Sequence, residues 1–134
     1  MVYLDANVFV YAVTGDDSVP EAKRSRAHLR KVGAGELAGL TSTLTWDELV
    51  HVVAKRIGPI EARQAGTYFL GIPRLQVITV DRRIVKEAQR IHSSFGLKPR
   101  DAIHAASALT AGEPDVMSDD SAFSRVNGLR TVSI

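Results

Sequence analysis

Two patterns alternate along this chain. A short, uninterrupted apolar run is followed by a longer stretch whose apolar residues return every three or four positions. Val2-Tyr3-Leu4 opens the series and is stopped by Asp5. A half-buried strand alternates apolar and polar residues, whereas a run apolar at every position buries both faces, as strands of a parallel sheet do. Val8, Phe9, Ala12 and Val13 then follow at helical spacing until Thr14-Gly15-Asp16-Asp17 breaks the pattern. Ser18 as N-cap, Pro20 as an early proline and Glu21 as a first-turn acid open a helix to about Gly33.

The series continues to the end of the chain. Leu37 to Leu40 reads as a second short strand, and Thr43 or Thr45 caps a helix with Leu49, Val50, Val53 and Ala54 as its apolar stripe. Gly58-Pro59 ends that helix, and another runs from Pro59 towards Gly71. Leu75 to Val80 has strand composition. Ile84, Val85, Ala88 and Ile91 make a helix ending near Gly96, and Pro99 opens the next, with Gly112 beyond its end. Asp115-Val116-Met117 is a strand, Ser121 to Val126 a short helix, and Leu129 to Ile134 a last strand. Strands alternating with helices predict an α/β fold in three α/β/α layers, with a central parallel sheet of about five short strands.

The length of 134 residues suits one domain, 1–134, because two cores would leave each half too small to bury its own apolar surface. With 45% hydrophobic and 24% charged residues, the chain is neither disordered nor a long coiled coil. It has no cysteine, which excludes disulfides, thiolate metal sites and a cysteine nucleophile. No apolar stretch approaches the ~18 residues of a membrane span, and Asp5 interrupts the N-terminal run, so the expectation is a cytoplasmic protein without a signal peptide. The net charge of +2 is too small to argue for any partner.

The position of the acids says more. In an open parallel sheet, ligands bind beyond the carboxyl ends of the strands, at the switch point of strand order. Asp5 directly follows the first strand, and Asp119 and Asp120 follow the Asp115-Met117 strand. Glu48 and Asp101 are expected in the first turns of their helices, where the helix dipole favours a carboxylate. Each acid has a plain structural explanation as a cap or a first-turn charge. Capping does not require several of them to converge on the ligand side of one sheet. Carboxylates packed together raise one another's pKa, and a divalent cation with hard oxygen ligands relieves the conflict. Such an ion suits phosphodiester hydrolysis.

Four segments carry a resemblance to a known family. They are Tyr3-Leu4-Asp5-Ala6-Asn7-Val8, Thr43-Leu44-Thr45-Trp46-Asp47-Glu48-Leu49, Lys98-Pro99-Arg100-Asp101-Ala102-Ile103-His104-Ala105-Ala106, and Met117-Ser118-Asp119-Asp120-Ser121-Ala122-Phe123. In order, spacing and total length the chain resembles the PIN-domain nucleases, and among them the small VapC-type toxins of toxin–antitoxin pairs. The resemblance implies Asp5, Glu48, Asp101 and Asp120 as the catalytic acids, with Asp5, Asp101 and Asp120 holding a metal ion. Glu48 would bind metal or orient and deprotonate the attacking water, and the spacing leaves the identity of the base open. Asn7, Ser118 and Asp119 become accessory residues; Ser118 stands where the family more often has threonine. The resemblance further implies an RNA substrate, single-stranded or structured, Mg2+ or Mn2+ as cofactor, a homodimer and a cognate antitoxin. The alternative is a non-catalytic RNA-binding or interaction module on the same scaffold, against which the intact acid quartet speaks.

Other residues carry weaker signals. Arg82, Arg83, Lys98 and Arg100 flank strand ends or the Asp101 helix and are candidate phosphate contacts. Lys23, Arg26 and Arg30 form a stripe on the second helix that reads as a solvated face ahead of a guide for RNA phosphates. His51 and His104 each stand three residues beyond an acid and could share its face, which suits packing or a supporting hydrogen bond behind the acids better than zinc ligation. A haloacid-dehalogenase-type phosphatase would need a second Asp where Asn7 stands.

Overall fold

The computed structural model describes residues 1–134. From the N-terminus, β1 (Val2–Leu4) leads into α1 (Ala6–Thr14), α2 (Pro20–Gly33) and β2 (Gly39–Ser42). The helices α3 (Leu44–Arg56) and α4 (Pro59–Leu70) precede β3 (Gln76–Ile78). Then come α5 (Arg82–Phe95), α6 (Pro99–Thr110), β4 (Asp115–Met117), a 3-10 turn (Ser121–Arg125) and β5 (Arg130–Val132). The five strands form one parallel sheet in the order β3-β2-β1-β4-β5.

Two hydrophobic clusters cover the two faces of this sheet. Val2 and Leu4 point into a cluster with Val8, Phe9, Leu29, Val32, Leu49, Val53 and Phe69, contributed by α1 to α4. Tyr3, between them, points the other way into a cluster with Leu40, Val116, Ile84, Ile91, Ala105 and Phe123, built on α5, α6 and the 3-10 turn. Both faces of β1 are therefore buried, which is why its sequence is apolar at every position. The fold is the expected three-layer α/β arrangement.

The chain moves outwards from β1 to β2 to β3, then returns to lay β4 along the free edge of β1. The reversal falls between β1 and β4, which pair through Tyr3 with Val116 and Leu4 with Met117. An open α/β sheet leaves its crevice at the carboxyl ends of two such strands. Asp5 leaves β1 at that point, and Ser118-Asp119-Asp120 leaves β4 beside it.

Local chemistry sets the element ends, and several differ from the sequence reading. Pro20, Pro59 and Pro99 each open a helix, where the missing N–H costs nothing. Ser18 does not cap α2; its backbone N–H donates to Asp16 Oδ1 at 2.8 Å in a local turn, and Val19 takes the cap position. The second strand lies two residues later than Leu37–Leu40. Gly39 sets it, because a Cβ there would stand 2.7 Å from Val32 Cγ2 and 3.2 Å from Leu4 Cδ1, so only a glycine lets α2 pack this close. Thr43 holds the N-cap position of α3, but its side chain makes no cap bond: Oγ1 accepts from the Val80 N–H just beyond the next strand, and the Thr45 hydroxyl meets Thr41. Because α3 starts at Leu44, Asp47 is its first-turn acid and Glu48 lies one position deeper. The short helix after β4 is 3-10, held by the Asp120 side chain.

Candidate active site

Asp5 ends β1 and caps α1, its Oδ1 accepting from the Ala6 N–H at 2.8 Å. Its other oxygen, Oδ2, accepts from the Ser118 hydroxyl at 2.7 Å. Ser118 Oγ in turn accepts from the Asp120 N–H at 3.0 Å and from Asn7 Nδ2 at 3.2 Å. The hydroxyl thus ties the end of β4 to the end of β1, a role serine fills as well as threonine. Asp120 Oδ1 accepts from the Ala122 N–H at 2.9 Å and so caps the 3-10 turn. Capping and convergence are not alternatives here: Asp5 and Asp120 do both.

Asp5, Asn7, Glu48, Asp101, Asp119 and Asp120 line one cleft of about 300 Å³, together with Arg100, His51 and Arg56. All four acids of the quartet and two accessory residues therefore meet, with Ser118 buried behind them. Asp5, Glu48 and His104 form the tightest group, with one ligand atom of each within 4.8 Å of the others. Asp101 and Asp120 line the same cleft without closing to that spacing. Asp119 turns to the rim, where Oδ2 accepts from the Tyr11 hydroxyl at 2.6 Å and Oδ1 from Asn7 Nδ2. The bond to Asp119 pushes the Tyr11 hydroxyl up to about 12, so it stays a donor at neutral pH.

The electrostatics follow from crowding. Burial raises the Asp5 carboxyl, while His104 and the Ser118 hydroxyl pull it back. Burial also raises Asp101, and the charges of Asp5 and Asp120 lift it further, to about 6. Burial alone would push the His104 imidazole down; the Tyr3 oxygen, the hydrogen bond to Glu48 and the Asp5 charge outweigh it and hold it well above its usual range. Hard carboxylate oxygens that destabilise one another's charge, in an open cleft, fit a divalent cation.

Of the expected phosphate contacts, only Arg100 lines this cleft, with Nε 4.0 Å from Glu48 Oε1. Lys98 stands at the N-cap of α6, and Arg82 opens α5. Arg83 borders a separate depression with Lys86 and Arg90. Arg26 is not a free surface cation: it donates to the Ala12 and Gly15 carbonyls at 3.1 and 2.6 Å and pairs with Asp17. Arg56 is the charged cleft residue that lies outside the four matching segments. Its signal was there, since it lies eight residues beyond Glu48 and shares the face of α3 on which Glu48, His51 and Val52 reach the cleft.

The PIN domain model matches residues 2–129. The chain belongs to the PIN-domain family. No curated protein matches it by sequence. Among solved structures, VapBC2 from Rickettsia felis, bound to a DNA fragment from its promoter, is similar at 17% identity and a TM-score of 0.75, covering 99% of this chain and 98% of that one. VapC20 from Mycobacterium tuberculosis, a sarcin-ricin loop cleaving toxin, is similar at 18% identity and a TM-score of 0.73, covering 92% and 93%. DNA-bound VapBC from Salmonella typhimurium follows at 21% identity and a TM-score of 0.72, covering 98% and 96%. At these identities the likeness is one of PIN fold, over nearly the whole of each chain. No helix of this PIN protein is long and apolar enough to cross a membrane.

Proposed function

We propose that this PIN protein is a metal-dependent endoribonuclease and the toxin of a toxin–antitoxin pair. The observation that carries the reading is the convergence of Asp5, Glu48, Asp101 and Asp120 on one cleft at the β1–β4 switch point. Asp5, Asp101 and Asp120 would hold a Mg2+ or Mn2+ ion, directly or through water, and such an ion, when bound, would supply Lewis-acid polarisation of the phosphodiester and a water of lowered pKa. Glu48 stands across the cleft with Oε1 unbonded, 4.0 Å from Arg100, and orients the attacking water. Arg100 and Arg56 on the walls offset the charge of the RNA backbone as it enters. Ser118 and Asn7 keep Asp5 from rotating out of line.

RNA as substrate is supported by the likeness to VapC20, a sarcin-ricin loop cleaving toxin. The antitoxin is supported by relatives solved as VapBC complexes. It is also supported by a second, mostly apolar cleft of about 370 Å³ in which Ala12, Val13, Ile57, Ala65 and Tyr68 are edged by Arg26, Glu61 and Gln64, and which shares no residue with the cleft of the acid quartet. Ile57 and Tyr68, which line it, are large side chains exposed to solvent, as on a surface made for a partner chain. A homodimer completes the assembly.

The test is cleavage of a mixed RNA pool by purified protein with Mg2+ or Mn2+, in parallel with EDTA and with Asp5→Asn. Asn retains the α1 cap but removes the charge. Cleavage abolished by both controls is the expected result. Cleavage that survives both overturns the acid-quartet mechanism, and binding without cleavage favours the non-catalytic module.

A further inference from the structure

Beneath the cleft lies a side chain to which hydrolysis as described gives no task. His104, from the middle of α6, is fully buried, with Nε2 3.1 Å from Glu48 Oε2 and 3.6 Å from Asp5 Oδ1. A ring nitrogen that close to a carboxylate oxygen has to carry hydrogen, because two lone pairs at this distance repel. Nε2 is therefore a donor to Glu48 whether the ring is neutral or charged. At the opposite end of the ring, Nδ1 meets the Tyr3 hydroxyl at 2.7 Å. Tyr3 is fully buried too, and His104 is the partner of its hydroxyl. The two rings meet edge to face, with centroids 5.8 Å apart.

We propose that Tyr3 and His104 are a positioning relay: they commit Oε2 of Glu48 and leave Oε1 as the oxygen that works in the cleft. The relay rests on the nuclease reading above and adds to it two residues outside the acid quartet.

Three observations separate it from ordinary packing. First, the partners of Tyr3 on its own face of the sheet are Leu40 and Val116, both aliphatic. A phenol and an imidazole buried there have polar groups to satisfy that an aliphatic pair would not. Second, the relay spans the three layers. Tyr3 comes from the sheet, His104 from the helix layer of α5 and α6, and Glu48 from α3 on the other face. Third, hydrogen bonds at both ends prevent the ring from turning about its axis, so the donor stays aimed at Glu48. Glu48 sits past the first turn of α3 and makes no hydrogen bond to backbone, so the His104 bond is what holds its carboxylate.

The arrangement also separates positioning from metal ligation. His104 is within ligand range of Asp5 and Glu48. To bind an ion, Nε2 would have to surrender its hydrogen and Glu48 its partner.

The variants His104→Leu, His104→Gln and Tyr3→Phe test this in the full-length protein, with thermal melting to check folding. Glutamine keeps an N–H for Glu48; leucine does not. With an RNA oligonucleotide that the wild type cuts, His104→Leu is expected to lose about 10- to 100-fold in kcat at unchanged KM, and His104→Gln to recover most of it. Tyr3→Phe falls between them and carries the test with the glutamine variant if the leucine variant does not fold. Mn2+ binding by calorimetry, without RNA, is expected to stay within a few-fold of wild type in His104→Gln. Loss of Mn2+ binding in that variant would make His104 a ligand and overturn the relay. Wild-type kcat in the leucine variant or, should it not fold, in Tyr3→Phe would reduce the pair to packing and also overturn it. The His104 Nε2–H resonance in 15N-resolved NMR is expected to be slow to exchange, and faster in Tyr3→Phe. That signal decides the relay even if the wild type cleaves no RNA, an outcome that would fell the nuclease reading alone. An Nε2–H that exchanges freely in the wild type overturns the relay by itself.

Discussion

Asp101 shows how much a single carboxyl is strained by its neighbours. Half-buried beside Asp5 and Asp120, it is pushed up from 3.8 to about 6 in the metal-free protein. The folded state thus binds the proton more readily than the unfolded chain does. This contribution to stability is fully present below pH 3.8 and is lost as the pH rises through about 6. Asp101→Asn removes the charge, so in EDTA at pH 8 it is expected to melt higher than wild type, with the advantage gone by pH 4. The side chain is about half solvated, and screening reduces the full shift to about 1 kcal/mol, or roughly 3 °C. Loss of a first-turn acid from α6 offsets a few tenths of that. Melting curves across this pH range check it; equal melting temperatures at pH 8 would mean that the cleft tolerates its charges without strain. The positions of Asp5, Asp101 and Asp120 at element ends could be read from sequence, because strand ends and helix starts are marked by local residues; Glu48, read as a first-turn acid, lies one position deeper. The mutual strain of the acids could not be read, because it depends on β4 returning to pair with β1.

At the scale of the element, α1 is held at both ends by side chains of opposite kind. Asp5 caps its N-terminus, and Arg26, reaching over from α2, closes its C-terminus through the Ala12 and Gly15 carbonyls. Arg26→Ala is expected to cost about 1.5 kcal/mol and about 4 °C in melting temperature, as the loss of charge-assisted bonds to last-turn carbonyls does. Arg26→Lys should recover little, since one ammonium cannot serve two carbonyls and Asp17 in a fixed fork. Metal affinity measured by calorimetry should be unchanged, because the cap lies a helix length from Asp5, about 13 Å. A parallel fall in affinity would show instead that α1 transmits strain to the cleft. From sequence, Arg26 read as part of a solvated stripe with Lys23 and Arg30. The i, i+3, i+7 spacing was real, but it says nothing of what stands across a turn. The proline-marked starts of α2, α4 and α6 were legible because proline acts on its own backbone. The start of β2 was not, because Gly39 is there to admit Val32 from another element.

Over the whole molecule, the cleft is the one place where the layers of the fold meet through charge. Glu48 comes from the helix layer on one face, Asp101 from the layer on the other, and Asp5 and Asp120 from the seam between β1 and β4. The apolar cores pull these elements together while the carboxylates resist. A cation bound there, as proposed above, would reverse the sign of that resistance and add its binding energy to the fold. At a hundred times its dissociation constant this is about 2.7 kcal/mol, or roughly 5–10 °C in melting temperature. Wild-type protein is therefore expected to melt higher with Mn2+ or Mg2+ than with EDTA. Asp101→Asn should begin higher in EDTA at pH 8 yet gain less from the metal, so that the order of the two proteins inverts as the ion is added. A relief of general surface repulsion by salt would raise both alike, and matched ionic strength with NaCl provides that comparison. The inversion is the signature of one set of carboxylates that costs the empty fold stability and repays it when occupied. If the two proteins gain equally from the divalent ion, Asp101 does not hold it, and the metal set contracts to the acids at the β1–β4 seam and Glu48.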